Sequence, residues 1–412
     1  MNYLLAACLL LASSMSFAQE IILRHNLDGS RLGALAGLVL KFNEAQKGKG
    51  LVRLETIPLP QERRGLPHLA LLDTADSMNF FGTLPRFKPL HQMLRESGQK
   101  IDMREILPQM ADVVDDANGQ LQALPMAMAL PVIYLNREVL RKSGIDPDQA
   151  PRTWLALQEI AGALRKEGVA CPLTSSQFSW VHLENLSSQH GQPVVTHQRE
   201  AEKLVLNSLI NVKHLALLAS WQKSHYFHYS GPGQEGNERF LNGECAILTG
   251  ESSFYAEVLG RGVDASISAM PYYDDVYGAR RDEVLPGGAA LWVLAGFKSN
   301  DYKLIARFVS FLMRSDIQSE WVRTTTFLPM TSGAISALRD TGAFPPHLLN
   351  GAMRRLSAVK KTTSRARSSP IRDRFRAILG EEMEFVWNGD RPAKEALDRA
   401  MERTNRAAPL RP

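Results

Sequence analysis

The residues that could do covalent chemistry or bind a metal form no complete set in this sequence. His225-x-x-His228 offers two imidazoles, but no third ligand stands near them at a metal-binding spacing. The stretch GESSF over 250–254 departs from the G-x-S-x-G nucleophile elbow at its last position. Glu381 and Glu382 are adjacent, and adjacent side chains on a helix do not face each other, which predicts solvated surface. Because Walker, C-x-x-C and H-E-x-x-H motifs are also missing, we expect no enzyme, no metal and no cofactor.

Other residues favour the binding of a small polar solute. A short strand over 20–25 runs into the turn Asn26–Gly29 and then into a helix predicted over 31–43. The free N–H groups at such a helix start can bind an anion or a hydroxyl. The apolar run LPHLALL predicts a strand that ends at Asp73, where a carboxylate can face a cleft. Arg and Lys are dense over 354–376, which either a solvated basic face or an anion site would explain.

The elements that must position these residues belong to an α/β protein. A chain of 412 residues is too long for one hydrophobic core, which predicts two domains. Predicted strands alternate with predicted helices, as in open sheets whose ligands bind beyond the strand ends. A hydrophobic content of 44% and a charged content of 22% are ordinary for a soluble globular protein. The net charge of +5 is mild, and no nucleic-acid partner is expected.

The first 18 residues read as a secretory signal peptide. An apolar run is followed by Ser16-Phe17-Ala18, a small-x-small cleavage site, so cleavage is expected after Ala18. A membrane anchor is the weaker interpretation, because the run is shorter than the roughly 20 residues that a span needs. We therefore expect an exported, periplasmic protein.

The stretch Leu124–Leu155 predicts a crossing from one structural unit to another. Two prolines interrupt its first apolar run, which argues against a central strand position there. The β-rich segment VIYLN follows, then a short helix that Gly144 ends, and then a helix that Thr153 caps. This order of strand, Y-x-N, helix, G-[IL]-D-P and P-x-T-W resembles the lobe crossover of the bacterial extracellular solute-binding proteins that serve ABC importers.

Further motifs extend the resemblance over nearly the whole mature chain and point to the sn-glycerol-3-phosphate-binding group of that family. They are HNLDG at 25–29, WVHLEN at 180–185, NGECA at 242–246, GGAALWV at 287–293 and FLPMT at 327–331. The resemblance implies a two-lobed periplasmic binding protein of type II, with a hinge and a ligand cleft between the lobes. We expect residues 19–130 plus 286–333 in the N-terminal lobe and 131–285 plus 334–412 in the C-terminal lobe.

The function implied is that of a monomeric periplasmic subunit. It would deliver sn-glycerol-3-phosphate or a glycerophosphodiester to an inner-membrane permease with a cytoplasmic ATPase. Three alternatives stay open: a carrier of an uncharged sugar or oligosaccharide, a sensor that signals occupancy to a chemoreceptor or kinase, and a secreted phosphodiesterase.

The resemblance also assigns ligand-binding residues. Gly287 and Gly288 would offer backbone N–H groups to a phosphate, because glycine lets the backbone approach closely. Arg376 matches the family's phosphate-contacting arginine. Ser252 and Ser253 stand where the family has a ligand-binding serine.

Trp180 stands where the family has an aromatic wall, although packing would also explain it. At other positions this chain departs from the family. Asp73 replaces the pocket glutamate, Phe327 a pocket tyrosine and Gln177 a neighbouring tryptophan. A crossover serine is lost within Met128-Ala129, and a first-lobe tyrosine has no counterpart around 60–66. A site that loses hydrogen-bonding groups usually changes what it accepts, so the exact ligand stays open.

Two cysteines remain after the signal peptide is removed. Cys171 and Cys245 each begin a predicted strand, and in an oxidising compartment they can pair, although cysteine is also a common buried residue. We predict that they form a disulfide that braces the second lobe. Trp154 and Trp292 lie in apolar segments and are expected in the core.

Overall fold

The computed structural model describes residues 19–56, 65–73, 87–99, 101–116, 118–198, 201–276, 284–341 and 370–406. The predicted signal peptide and residues 354–369 of the basic stretch lie outside the described residues. Within these described ranges, no helix is both long and apolar enough to cross a membrane.

Alternation of apolar and polar residues, or continuous apolar runs, produces strands throughout the described chain. The strands are β1 (Gln19–His25), β2 (Gly50–Thr56), β3 (Leu69–Asp73), β4 (Leu124–Ala129), β5 (Pro131–Asn136), β6 (Cys171–Ser175), β7 (Val195–Gln198), β8 (Ala201–Leu204), β9 (Phe227–His228), β10 (Cys245–Glu251), β11 (Ala265–Ala269) and β12 (Gly287–Val293).

The helices lie between these strands and at the end of the described chain. They are α1 (Gly29–Ala45), α2 (Leu90–Glu96), α3 (Pro108–Ala111), α4 (Arg137–Lys142), α5 (Trp154–Lys166), α6 (Asn185–Gln189), α7 (Leu209–Lys223), α8 (Glu235–Leu241), α9 (Tyr255–Gly260), α10 (Ser299–Leu312), α11 (Ser315–Thr325), α12 (Ser332–Thr341), α13 (Pro370–Trp387) and α14 (Ala393–Arg406). Shorter helical turns cover Met103–Glu105, Trp180–Glu184 and Ser252–Phe254.

The first sheet has the strand order β2-β1-β3-β12-β4. β1 runs parallel to β2 and β3, whereas β12 runs antiparallel to β3 and β4. β3 is buried from Leu69 to Leu72, which explains its unbroken apolar sequence. Phe42 of α1 packs its ring 4.9 Å from that of Phe308 of α10, and these helices bury their apolar faces in the same core. Asp73 ends β3 at the edge of this core.

The second sheet has the strand order β11-β5-β10-β6-β9. β10 runs antiparallel to β5 and parallel to β6, and Cys245 lies directly beside Cys171 in that parallel pair. A disulfide joins the two cysteines, with their Cα atoms 4.5 Å apart. The predicted bridge is confirmed, and it fixes the register of two central strands of this sheet.

The chain crosses between the sheets where the sequence predicts a crossing. β4 belongs to the first sheet and β5 to the second, with only Leu130 between them. The caps after the crossing also form as expected, because the Asn136 side chain accepts from Val139 N and that of Thr153 from Ala156 N. The chain returns to the first sheet between β11 and β12.

Three predicted helix boundaries are wrong. One helix was expected over 102–110, but a helical turn and α3 replace it, because Pro108 lacks an N–H and starts a new helix. The helix expected over 204–225 begins at Leu209, since residues 201–204 pair with β7 instead. α13 begins at Pro370, ten residues before the expected start.

Glu382 also corrects an expectation, because it does not belong to a solvated surface. Only 3% of its side chain is exposed, against 63% for Glu381. Arg403 donates from Nη1 to Glu382 Oε1 at 2.9 Å, and Arg391 donates to Oε2. The buried carboxylate therefore ties α13 to Arg391, just before α14, and to Arg403 on α14.

Trp154 and Trp292 lie in the core as expected, with 1% and 6% exposure.

Candidate functional site

A cavity of about 490 Å³ lies between the two sheets. Its walls come from the turn after β1, the ends of β3 and β10, the start of β12, the loop before α6 and the middle of α13. The cavity is lined by Asn26, Leu27 and Asp28, so the turn that the sequence predicted as an anion or hydroxyl site faces it. Six of the ligand-binding residues inferred from the sequence also line it: Asp73, Trp180, Gly287, Gly288, Phe327 and Arg376.

Ser252 and Ser253 are buried and are not among the described residues that line this cavity. The Ser252 hydroxyl accepts from Leu130 N at 3.0 Å, and Ser252 N donates to Leu130 O at 2.8 Å. The Ser253 carbonyl accepts from Thr326 Oγ1 at 2.8 Å. In this structure Ser252 holds the crossing at Leu130 and Ser253 holds the end of α11, and their contact with a ligand stays a prediction.

Neighbouring atoms approach the two glycines at the start of β12 so closely that a side chain would not fit at either position. A Cβ atom on Gly287 would lie 2.8 Å from the indole of Trp180, and one on Gly288 would lie 2.1 Å from the Ala127 carbonyl oxygen. Gly288 also has φ +130°, which side chains rarely adopt. Trp180 is 4% exposed and donates from Nε1 to Leu285 O at 3.1 Å. Its indole therefore packs against the segment that returns to the first sheet, and its edge reaches the cavity.

Arg376 reaches the cavity from α13 as half of an ion pair. Its Nε and Nη2 donate to the two carboxylate oxygens of Glu184 at 2.7 and 2.9 Å. The Glu184 side chain is fully buried, whereas 27% of the Arg376 side chain is exposed. This bidentate contact orients the guanidinium and offsets part of its charge.

The cavity is also lined by three polar residues that the sequence analysis did not assign to ligand binding. We call Arg31, Glu251 and Gln177 the cleft triad. Arg31 Nη2 lies 3.2 Å from Glu251 Oε1, and Gln177 Nε2 donates to Glu251 Oε2 at 2.7 Å. Arg31 belongs to α1 beside the first sheet, and Glu251 ends β10 of the second sheet. The triad therefore spans the cleft.

The surroundings of Arg31 explain how it is held. Its guanidinium lies 5.1 Å above the centre of the Phe327 ring, a cation–π arrangement. Glu257 Oε1 lies 3.3 Å from the same Nη2 atom. Burial raises the pKa of Glu257, although Arg31 opposes that rise. Arg31 could have been marked from the sequence, since it lies two residues after Gly29, the last residue of that turn.

Burial also lowers the pKa of His25, which keeps its imidazole neutral near pH 7. The ring Nδ1 then accepts from Leu27 N at 3.2 Å and shapes the turn that lines the cavity.

A chain of buried histidines lies in the second lobe, beside the loop that carries Trp180. His182 contacts Thr249 Oγ1 at 2.8 Å and His214 at 3.0 Å, and His214 contacts the Tyr273 hydroxyl at 3.0 Å. Burial lowers the pKa of His182 to about 3. These rings pack the lobe as neutral groups, and among the described residues no cluster of three metal-ligating side chains exists.

Two α/β units with a polar cavity between them, lined from both sides, define a two-lobed solute-binding protein. Residues 68–345 match the family model described as bacterial extracellular solute-binding protein. The chain belongs to this family of bacterial extracellular solute-binding proteins.

Curated relatives agree with that assignment. The chain is 31% identical over 326 residues to the sn-glycerol-3-phosphate-binding periplasmic protein UgpB of Salmonella paratyphi A, covering 77% of this chain and 74% of that protein. It is 30% identical to UgpB of Escherichia coli K12 over the same shares.

Solved structures share the fold at lower identity. UgpB from Mycobacterium tuberculosis in complex with glycerophosphocholine superposes with a TM-score of 0.73 at 17% identity, covering 94% of this chain and 98% of that one. An ABC substrate-binding protein from Listeria monocytogenes in complex with cycloalternan gives a TM-score of 0.76 at 17% identity, with the same coverage. The type II two-lobed fold inferred from the sequence is thereby confirmed.

Proposed function

We propose that this chain is the substrate-binding subunit of an ABC importer and that it binds a glycerophosphodiester or sn-glycerol-3-phosphate. The observation that carries the proposal is the position of Arg376. Its guanidinium lines the same cavity as Gly287 and Gly288, and Glu184 orients it. A phosphate oxygen could therefore receive charge-assisted hydrogen bonds from the side chain and hydrogen bonds from the glycine backbone.

The charges of the cavity favour the diester over the monoester. Among the described residues that line it, three carboxylates (Asp28, Asp73 and Glu251) stand beside two guanidiniums, those of Arg31 and Arg376. A phosphodiester carries one negative charge near neutral pH, whereas a phosphomonoester carries close to two. The second charge would be repelled by these carboxylates.

The cellular setting proposed is export to the periplasm after removal of residues 1–18. There the monomer would deliver its ligand to a permease coupled to an ATPase. We further propose that the lobes comprise 19–130 plus 286–333 and 131–285 plus 334–412. The change of sheet between β4 and β5, and again between β11 and β12, supports the first two boundaries.

The test begins with a thermal-shift screen of glycerophosphocholine, sn-glycerol-3-phosphate and maltose, because a ligand that binds only the folded state raises the melting temperature. Isothermal titration then compares wild type with Arg376→Ala. We expect the variant to weaken glycerophosphocholine by about 2–5 kcal/mol, as when one side of a buried charge pair is removed.

The matched control is Arg323→Ala, which removes an exposed arginine on α11 and should leave the affinity unchanged. Unchanged affinity for a phosphorylated ligand in Arg376→Ala would refute the phosphate assignment. Turnover of glycerophosphocholine by the purified protein would refute a purely binding role.

An uncharged sugar or oligosaccharide is the second candidate ligand. The excess of carboxylates over guanidiniums in the cavity favours it, because carboxylates accept hydrogen bonds from sugar hydroxyls. A melting-temperature rise with maltose, and none with either phosphate ester, would support this candidate over the first.

A further inference from the structure

The cleft triad has an arrangement that the phosphate site does not explain. Only 12% of the Arg31 side chain and 10% of the Glu251 side chain are exposed, although all three triad residues line the cavity. Glu251 is held by two donors, Arg31 Nη2 at 3.2 Å and Gln177 Nε2 at 2.7 Å. A carboxylate fixed in this way would repel a phosphate placed beside it.

The same arrangement suits a hydroxyl group. A hydroxyl donates one hydrogen bond and accepts others, so it fits where a carboxylate acceptor stands next to a guanidinium donor. Arg31 lines the cavity with 12% of its side chain exposed, so a hydroxyl in the cavity can contact the guanidinium beside Glu251. Phe327, which lies under the guanidinium, adds an apolar face and no donor.

We propose that Arg31 and Glu251, held by Gln177, form a specificity-determining subsite for the hydroxyl groups of a polyol. This inference rests on the proposed binding function and assigns the two ends of the ligand. Arg376 would take the phosphate, and the triad would take the glycerol hydroxyls. Since Arg31 and Glu251 come from opposite lobes, a hydroxyl that contacts both is bound only when the cleft is closed.

A purely structural role is the competing explanation, because the Arg31–Glu251 pair also connects the two lobes. An inter-lobe ion pair without ligand contact would change the affinity of every ligand by the same factor. A hydroxyl subsite would act only on ligands that carry the hydroxyls. The two explanations are therefore distinguished by measuring each variant's affinity for a ligand with the hydroxyls and for a matched ligand without them.

The probes are glycerophosphocholine and propyl phosphocholine, which differ only in the two glycerol hydroxyls. Arg31→Met removes the donors and keeps an extended side chain, and Glu251→Gln removes the charge and keeps the shape. We expect each variant to bind glycerophosphocholine about 10- to 100-fold more weakly, the range for losing a hydrogen bond to a charged group. Affinity for propyl phosphocholine should stay within about twofold of wild type, the hydroxyl-dependent contact being absent there.

Glu257→Gln is the matched control, since Glu257 contacts Arg31 but is not among the described residues that line the cavity. It should change both affinities by the same factor, because it alters the inter-lobe contact only, and Arg31→Met and Glu251→Gln should not show this behaviour. Melting temperatures check that each variant folds, and Glu251→Gln tests the inference alone if Arg31→Met does not fold. Equal weakening of both probes, or no weakening of either, would overturn the hydroxyl subsite.

The outcomes for the proposed function are separate. If wild type binds maltose but neither the phosphocholine probes nor sn-glycerol-3-phosphate, the phosphate assignment fails. The same variants then test the subsite on maltose and 2-deoxymaltose, with the same criteria. Binding of none of these five compounds would overturn both proposals.

Discussion

The ion pair between Arg376 and Glu184 gives a prediction about stability that differs from its role in binding. Arg376→Ala removes two hydrogen bonds, of 2.7 and 2.9 Å, from a fully buried carboxylate. Removal of one partner of a buried ion pair costs about 3–5 kcal/mol. Because 27% of the Arg376 side chain is exposed, water can replace part of the contact. We therefore expect the free energy of unfolding to fall by about 3 kcal/mol.

The assay is urea unfolding of the ligand-free protein, followed by circular dichroism. The free energy of unfolding of wild type is compared with that of Arg376→Ala, Glu184→Gln and the double variant. The double variant should recover most of the loss, because an amide at position 184 no longer leaves a charge in the interior. A double variant as unstable as Arg376→Ala, or an Arg376→Ala as stable as wild type, would refute this reasoning.

Three further predictions concern the core and the backbone. Replacing both Cys171 and Cys245 by alanine opens a loop with a sequence separation of 74 residues, and should lower the unfolding free energy by about 4 kcal/mol, measured by urea unfolding of wild type and variant. Because burial lowers the pKa of His182 to about 3, the unfolded chain binds a proton that the folded chain does not. Stability should therefore be full above the ordinary histidine pKa of about 6.5 and fall as the pH drops toward 3, and melting curves of His182→Gln should show a weaker fall. Gly288→Ala, whose Cβ would meet a carbonyl oxygen at 2.1 Å, should lower the melting temperature and abolish binding, whereas Gly250→Ala, with its nearest atom at 3.7 Å, should do neither.

The sequence predicted best those features that depend on neighbours along the chain. The cap at Thr153 and the strand that ends at Asp73 follow from local residue types. The disulfide could also be predicted, because both cysteines begin strands and parallel strands in register bring their first residues together.

The cleft triad was not predicted, because its geometry depends on how the lobes meet. Arg31 and Glu251 are separated by 220 residues, and no periodicity tells which helix start faces which strand end. The burial of Glu382 was missed for a related reason. Its partners lie on or just before the next helix, and helix pattern alone does not show which face that helix covers.

The packing of Trp180 makes its fluorescence sensitive to movement between the lobes. The indole lies against Gly287 and donates to the Leu285 carbonyl, and both residues belong to the segment that returns to the first sheet. Any rotation of the lobes that moves this segment must admit water to an indole that is now 4% exposed. Its fluorescence emission would then shift to longer wavelength, so the native protein carries an intrinsic reporter of its own opening that needs no added dye.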